Sequence, residues 1–198
     1  MKIYDISQEV FNCNVYPGDP KAKVIALNRM SEGDVYNLSA FSMCAHNGTH
    51  VDAPFHFIQE GKTVDQLCLE ALVGWACVIE HEGVVSASDA AKMIEKAKAL
   101  GEEGWHRMLI KGKAEVGEEA AKAFVDAGIA LLGVESQTVG PEEAPMATHL
   151  ILLSREVVIL EGVQLSEVSE GKYLLSAAPI NLGGLDGAPC RAVLIDLG

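Results

Sequence analysis

The chain has 198 residues, 49% apolar and 22% charged, and its 15 Lys and Arg face 28 Asp and Glu for a formal net charge of −13. This fits one globular domain over residues 1–198, with core enough to stand without disulfides, and excludes a disordered or collagen-like chain. The acidic field repels nucleic acid, no apolar run reaches the ~18 residues of a membrane span, and Met1-Lys2 leads into a strand-like segment rather than a signal peptide, so a cytoplasmic location is expected.

In chain order, residues 2–6 alternate as a strand does. Val15-Tyr16-Pro17-Gly18-Asp19-Pro20 is a turn, because Pro presets φ and Gly permits positive φ. Residues 23–30 and 35–44 read as two strands joined through 31–34. Residues 46–57 fit no regular period. Val73–Glu80 is an apolar strand, and 86–100 is a helix with Ser88 as its candidate N-cap and Ala91, Ile94, Ala97 and Leu100 as its apolar stripe. A short strand follows at Arg107–Lys111, then a helix over Glu118–Ala127 stopped by Gly128, then a buried strand at 129–134. A third helix is predicted at 145–154, with Glu142 and Glu143 near its positive end, and strands at 157–160 and 192–197. Strands lead, then strands alternate with helices. The expected architecture is mixed α/β, antiparallel at the start and parallel in the alternating part. No glycine-rich phosphate loop follows any strand, so nucleotide binding is not expected. Five scattered cysteines, at 13, 44, 68, 77 and 190, form no CxxC and read as reduced thiols.

The irregular segment carries the chemistry. His46, His50 and His56 are three of the six histidines, and Asp52 stands among them. In an extended strand residues 46 and 50 would lie roughly 13 Å apart, whereas two nitrogens on one zinc-sized ion lie about 3–4 Å apart. Gly48, Thr49, Val51 and Pro54 oppose a helix. A curled loop turning at Asn47-Gly48 remains, and it lets His46 and His50 converge beside Asp52 on a metal. His81 and His106 stand alone and read as ordinary core or surface residues.

The spacing His46-Asn-Gly-Thr-His50-Val-Asp52-Ala-Pro-Phe-His56-Phe resembles the signature of the cyclase-like metal-dependent hydrolases, which include bacterial kynurenine formamidases and isatin hydrolases. Asp5-Ile6-Ser7 is similar to the family's opening strand, Tyr16-Pro17-Gly18-Asp19 to its aromatic-Pro-Gly-Asp turn, and Gly187-Ala188-Pro189-Cys190-Arg191-Ala192 to its terminal strand. His149 and Glu161 match its distal ligands by their spacing. The resemblance implies a swivelling β/β/α-type single domain with a mixed sheet. It implies one metal on His46, His50 and Asp52, and a second on His149, with Asp52 and Glu161 bridging. It makes His56 the general acid/base and Tyr16 a substrate-binding residue. Imidazole and carboxylate donors suit Zn²⁺ first and Mn²⁺ second.

Two departures concern the substrate. Tyr16 stands where the formamidases carry Trp, and Glu135 in Gly133-Val134-Glu135-Ser136-Gln137 stands where Asp is more usual. The family's isatin-hydrolase-like members can lack the distal Glu, so Glu161 favours the two-metal, formamidase-like arrangement. The leading expectation is therefore hydrolysis of N-formyl-L-kynurenine to L-kynurenine and formate. Hydrolysis of another cyclic or aryl amide or a lactone is the alternative. A non-catalytic metal-stabilised binding protein is the third reading, and a purely structural metal site has no need of an acid/base such as His56. The substrate is a small aryl amide, and a homodimer or homotetramer with active sites near an interface is expected.

Overall fold

The computed structural model describes residues 1–198. The strands are β1 (Lys2–Asp5), β2 (Lys23–Asn28), β3 (Leu38–Ser42), β4 (His50–Asp52), β5 (Val73–Glu80), β6 (Gly83–Val85), β7 (Arg107–Lys111), β8 (Ala114–Val116), β9 (Leu131–Val134), β10 (Val158–Glu161), β11 (Gly171–Ser176), β12 (Gly187–Pro189) and β13 (Val193–Asp196). The helices are α1 (Leu69–Leu72), α2 (Ala87–Ala99), α3 (Glu118–Ala127) and α4 (Met146–Leu153).

Nine strands form one mixed sheet in the order β1-β13-β11-β5-β7-β9-β10-β4-β12. The segment in which strands alternate with helices supplies the parallel neighbours β5, β7, β9 and β10. All other pairings in this sheet are antiparallel. β2 and β3 make a separate antiparallel hairpin, and β6 and β8 a small parallel pair.

The period of two decides where the core sits. Cys77 and Ile79 of β5, Met108 and Ile110 of β7, Leu132 and Val134 of β9, and Ile159 of β10 face α2, α3 and α4. Their neighbours Ala76, Val78, Leu109, Leu131, Val158 and Leu160 face the other way. There they meet Leu194 of β13 and Val51 of β4, strands from opposite ends of the sheet, so the sheet curls over its second core.

Some expectations are corrected. The cap of α2 is Ser86, not Ser88: its hydroxyl accepts from the Asp89 amide while Asp89 answers the Ser86 amide, a capping box. The buried stripe of that helix is Ala90, Met93, Ile94 and Ala97, while Ala91 and Leu100 are exposed. The segment 187–192 is not the terminal strand; β12 and β13 are separate, and β12 pairs with β4.

Candidate metal centre

The seam between β10 and β4 builds the centre. Antiparallel register sets His50 opposite Glu161 and Asp52 opposite Ile159. His50 and Asp52, two apart, share one face, and it is the face of Ile159, the helix side. There α4 buries Leu152 and Leu153, and His149, one turn earlier on the same side, reaches the seam. His50, Asp52, Glu161 and His149 are all buried, at 3% exposure or less. His46 enters from the turn at Asn47-Gly48. Gly48 has φ 66°, and a Cβ there would also lie 2.9 Å from Cys13 Cβ, so glycine is required twice over.

The ligand-type atoms of His46, His50 and Asp52 lie within 4.8 Å of one another, as do those of Asp52, His149 and Glu161. Asp52 is common to both triads. His50 Nε2 is 3.4 Å from Asp52 Oδ1 and 3.3 Å from Glu161 Oε2, and His149 Nε2 is 3.2 Å from Glu161 Oε1. The second nitrogens are held from outside: His50 Nδ1 donates to the Gly48 carbonyl at 3.0 Å and His149 Nδ1 to the Pro145 carbonyl at 2.8 Å. A backbone carbonyl on one nitrogen fixes the tautomer that offers the other to a metal.

Charge makes the same point. Asp52 and Glu161 are buried with no Lys or Arg, and their ion-pair partners are all imidazoles. Burial disfavours charged rings here, but hydrogen bonds from His46 to Asp186 and Asp52 outweigh it and lift His46 to about 9. Against the same penalty, Asp52 and Glu161 lift His149 to about 10 and His50 well above the usual imidazole range. Burial works against the Asp52 carboxylate too, yet His149, His46 and His50 hold its pKa well below the usual range. Within the cluster two buried atoms, His50 Nε2 and Asp52 Oδ2, still find no hydrogen-bond partner. A divalent cation satisfies these atoms and supplies the charge that protons on the rings otherwise provide. The residues present therefore fit a metal.

A cavity of about 450 Å³ opens onto the centre, lined by Tyr16, Asp19, Cys44, His46, His56, Phe57, Gln137, Thr138, Pro145, His149, Glu161 and Asp186. His56 closes the short turn Pro54–His56 and stacks on His46 with ring centroids 4.0 Å apart. Tyr16 stands at the wall, its hydroxyl donating to the Glu142 carbonyl at 3.2 Å. The structure thus brings together His46, His50, Asp52, His56, His149, Glu161 and Tyr16. Glu135 lies away from the cavity: its carboxylate accepts from the amides of Gly112 at 2.6 Å and Leu165 at 2.8 Å, stapling two loops. Sequence reasoning missed Asp186, whose Oδ2 is 2.7 Å from His46 Nε2 and 3.3 Å from His56 Nδ1. It also missed Gln137, which donates to the Gly48 carbonyl at 3.0 Å. The Asp186-Gly187 pair, ahead of the Ala-Pro step, was the one local signal for the first.

Known proteins bear on the geometry. The cyclase family model, described as "Putative cyclase", matches residues 4–141. A kynurenine formamidase of Erythrobacter litoralis is 31% identical over 99% of this chain and 94% of its own length. One of Bacillus thuringiensis is 35% identical over 96% of this chain and 95% of its own. A solved structure titled a "predicted metal-dependent hydrolase from Bacillus stearothermophilus" superposes with TM-score 0.81 at 28% identity, covering 98% of this chain and 97% of that one. Isatin hydrolase A from Labrenzia aggregata, with TM-score 0.83 at 20% identity over 98% and 93% of the two chains, shares the fold.

Proposed function

The chain belongs to the cyclase family, and on that premise we propose that it is a metal-dependent hydrolase of an aryl amide C–N bond, cleaving N-formyl-L-kynurenine to L-kynurenine and formate within one domain over 1–198. The observation that carries the reading is the pair of triads sharing Asp52, buried except for the half-buried His46, with His50 Nε2 and Asp52 Oδ2 lacking hydrogen-bond partners, beside His56, which groups with His46 and Asp186 instead.

His46, His50 and Asp52 would hold one divalent ion and His149 a second, with Asp52 and Glu161 bridging; Zn²⁺ suits these donors first and Mn²⁺ next. When bound, such ions polarise a carbonyl and make water acidic enough to attack near neutral pH. The chain's own residues do the rest. Asp52 and Glu161 would offset the repulsion of two nearby cations, and the Val139 amide, donating to Glu161 Oε1 at 2.6 Å, holds the Glu161 carboxylate in place. Tyr16 and Phe57 give an aromatic ring apolar walls. His56 takes the proton of the attacking water and returns it to the departing aryl amine.

The alternative, another cyclic or aryl amide or a lactone, is favoured by one feature: no Lys or Arg lines the cavity to pair with an α-carboxylate. A turnover panel on metal-loaded protein, with N-formyl-L-kynurenine, isatin and neutral aryl formamides, separates the readings. Preference for the first supports the formamidase assignment, and preference for isatin overturns it. Tight metal binding without turnover of any member supports a binding protein instead.

The assembly we infer is a homodimer or homotetramer, supported by the exposed apolar side chains of the β2–β3 hairpin. The location we infer is cytoplasmic, in keeping with five unpaired thiols; no helix is long and apolar enough to cross a membrane.

A further inference from the structure

One carboxyl oxygen joins the metal cluster to the acid/base. We propose that Asp186 is the positioning residue of the site: its Oδ2 accepts from His46 Nε2 and from His56 Nδ1, fixing both rings through one atom. The inference rests on the reading above, in which His46 is a ligand and His56 the acid/base.

The geometry sets the roles. His46 has Nδ1 2.8 Å from Asp52 Oδ1 and Nε2 2.7 Å from Asp186 Oδ2. The nitrogen beside Asp52 is therefore the one aimed at the cluster, and the other is the one gripped from outside. A carboxylate behind a ligating imidazole orients the ring and raises its basicity. His56 is held through Nδ1 at 3.3 Å, which leaves Nε2 for the reaction's proton. The two rings stack at 4.0 Å, so shifting one shifts the other.

The backbone fixes Asp186 in turn. Its carbonyl accepts from the Ala53 amide at 2.9 Å, one residue before the turn that carries His56. The next residue, Gly187, pairs with Asp52 across β12 and β4. A Cβ at Gly187 would lie 2.7 Å from His46 Cε1 and 2.8 Å from the Val51 carbonyl oxygen. Asp186 grips the ring and Gly187 makes room for it.

Asp186→Asn keeps the shape and one acceptor but replaces the second oxygen with a donor. In the variant, Zn²⁺ affinity, measured by competition with a chromophoric chelator, should fall about 10–100-fold. The kcat for aryl formamide hydrolysis should fall about 10²-fold with KM within about threefold, since the loss is in proton transfer. Nitrogen-15 spectra of the Zn²⁺-loaded wild type should show His56 protonated on Nδ1, and the variant should lose that preference. Unchanged affinity, kcat and spectrum in the variant would overturn the proposal. So would loss of one ion per chain in both Asp186→Asn and His56→Ala, which would make these residues ligands. If the variant does not fold, the wild-type spectrum still decides, because a proton on His56 Nε2 contradicts the assignment. Affinity and spectrum need no substrate, so an inactive wild type would sink the formamidase reading alone.

Discussion

On the helix-covered face of the sheet, alternate residues of β5, β7 and β9 disappear completely beneath α2, α3 and α4. In the β2–β3 hairpin the same residue types stay outside: Val24, Ile25, Leu27, Leu38 and Phe41 are 43–57% exposed. The first region satisfies its apolar surface within one chain. The second is a two-stranded ribbon, marginal alone in water, and joins no other strand. The fold's stability therefore belongs to the first region, and the association proposed above would belong to the hairpin.

The sharpest way to break that contrast is a cavity on the closed side. Phe124 of α3 is fully buried, and Phe124→Ala should cost about 3–5 kcal/mol in chemical denaturation. A loss below about 1 kcal/mol would mean the helix layer is not the core it resembles. Next, His56→Ala should lower kcat by about 10²–10⁴ with metal content intact, as the proposed acid/base role requires. Loss of metal in this variant would reassign it.

A smaller effect is set by pH. In metal-free protein His46 and His149 keep protons up to about 9 and about 10, above the ordinary imidazole value. Stability from those raised values is fully present below about pH 6.5 and is lost as pH rises through 9–10. The Tm of chelator-stripped protein should fall by several degrees between pH 7 and 10, on the order of a few kcal/mol. Metal-loaded protein, its rings already deprotonated, should lack that fall, and equal slopes would refute the linkage. The least stability change is expected in the hairpin. Phe41→Ser should alter Tm by only a degree or two at micromolar concentration while lowering the mass seen by light scattering toward one chain. A wild type that runs as one chain at all concentrations would remove the hairpin's role.

The same contrast explains what the sequence made legible. Alternation in Val73–Glu80 and the run at 129–134 declare a buried sheet because each residue's environment follows from its parity. The Asn47-Gly48 turn between two histidines declares a site because no regular element accommodates it. His149 and Glu161 carry no such mark: an apolar helix and a strand end become a cluster only through the β4–β10 register, which no local pattern encodes. Asp186 is hidden further, since β12 is three residues long and its pairing depends on β4 being in place. The strands at Ala114–Val116 and Gly171–Ser176 went unread for a like reason, their partners lying far away in sequence or being short themselves. Ser86 lost to Ser88 because two serines two residues apart offer the same hydroxyl, and only the Asp89 position distinguishes them.

The central claim is that the β10–β4 seam is a metal-dependent catalytic centre, and it is met most directly by titrating Zn²⁺ into chelator-stripped protein while following aryl formamide hydrolysis. Activity should be absent without metal and should rise until it levels off at two ions per chain, one for each triad that contains Asp52. Full activity in protein shown by elemental analysis to be metal-free would contradict it.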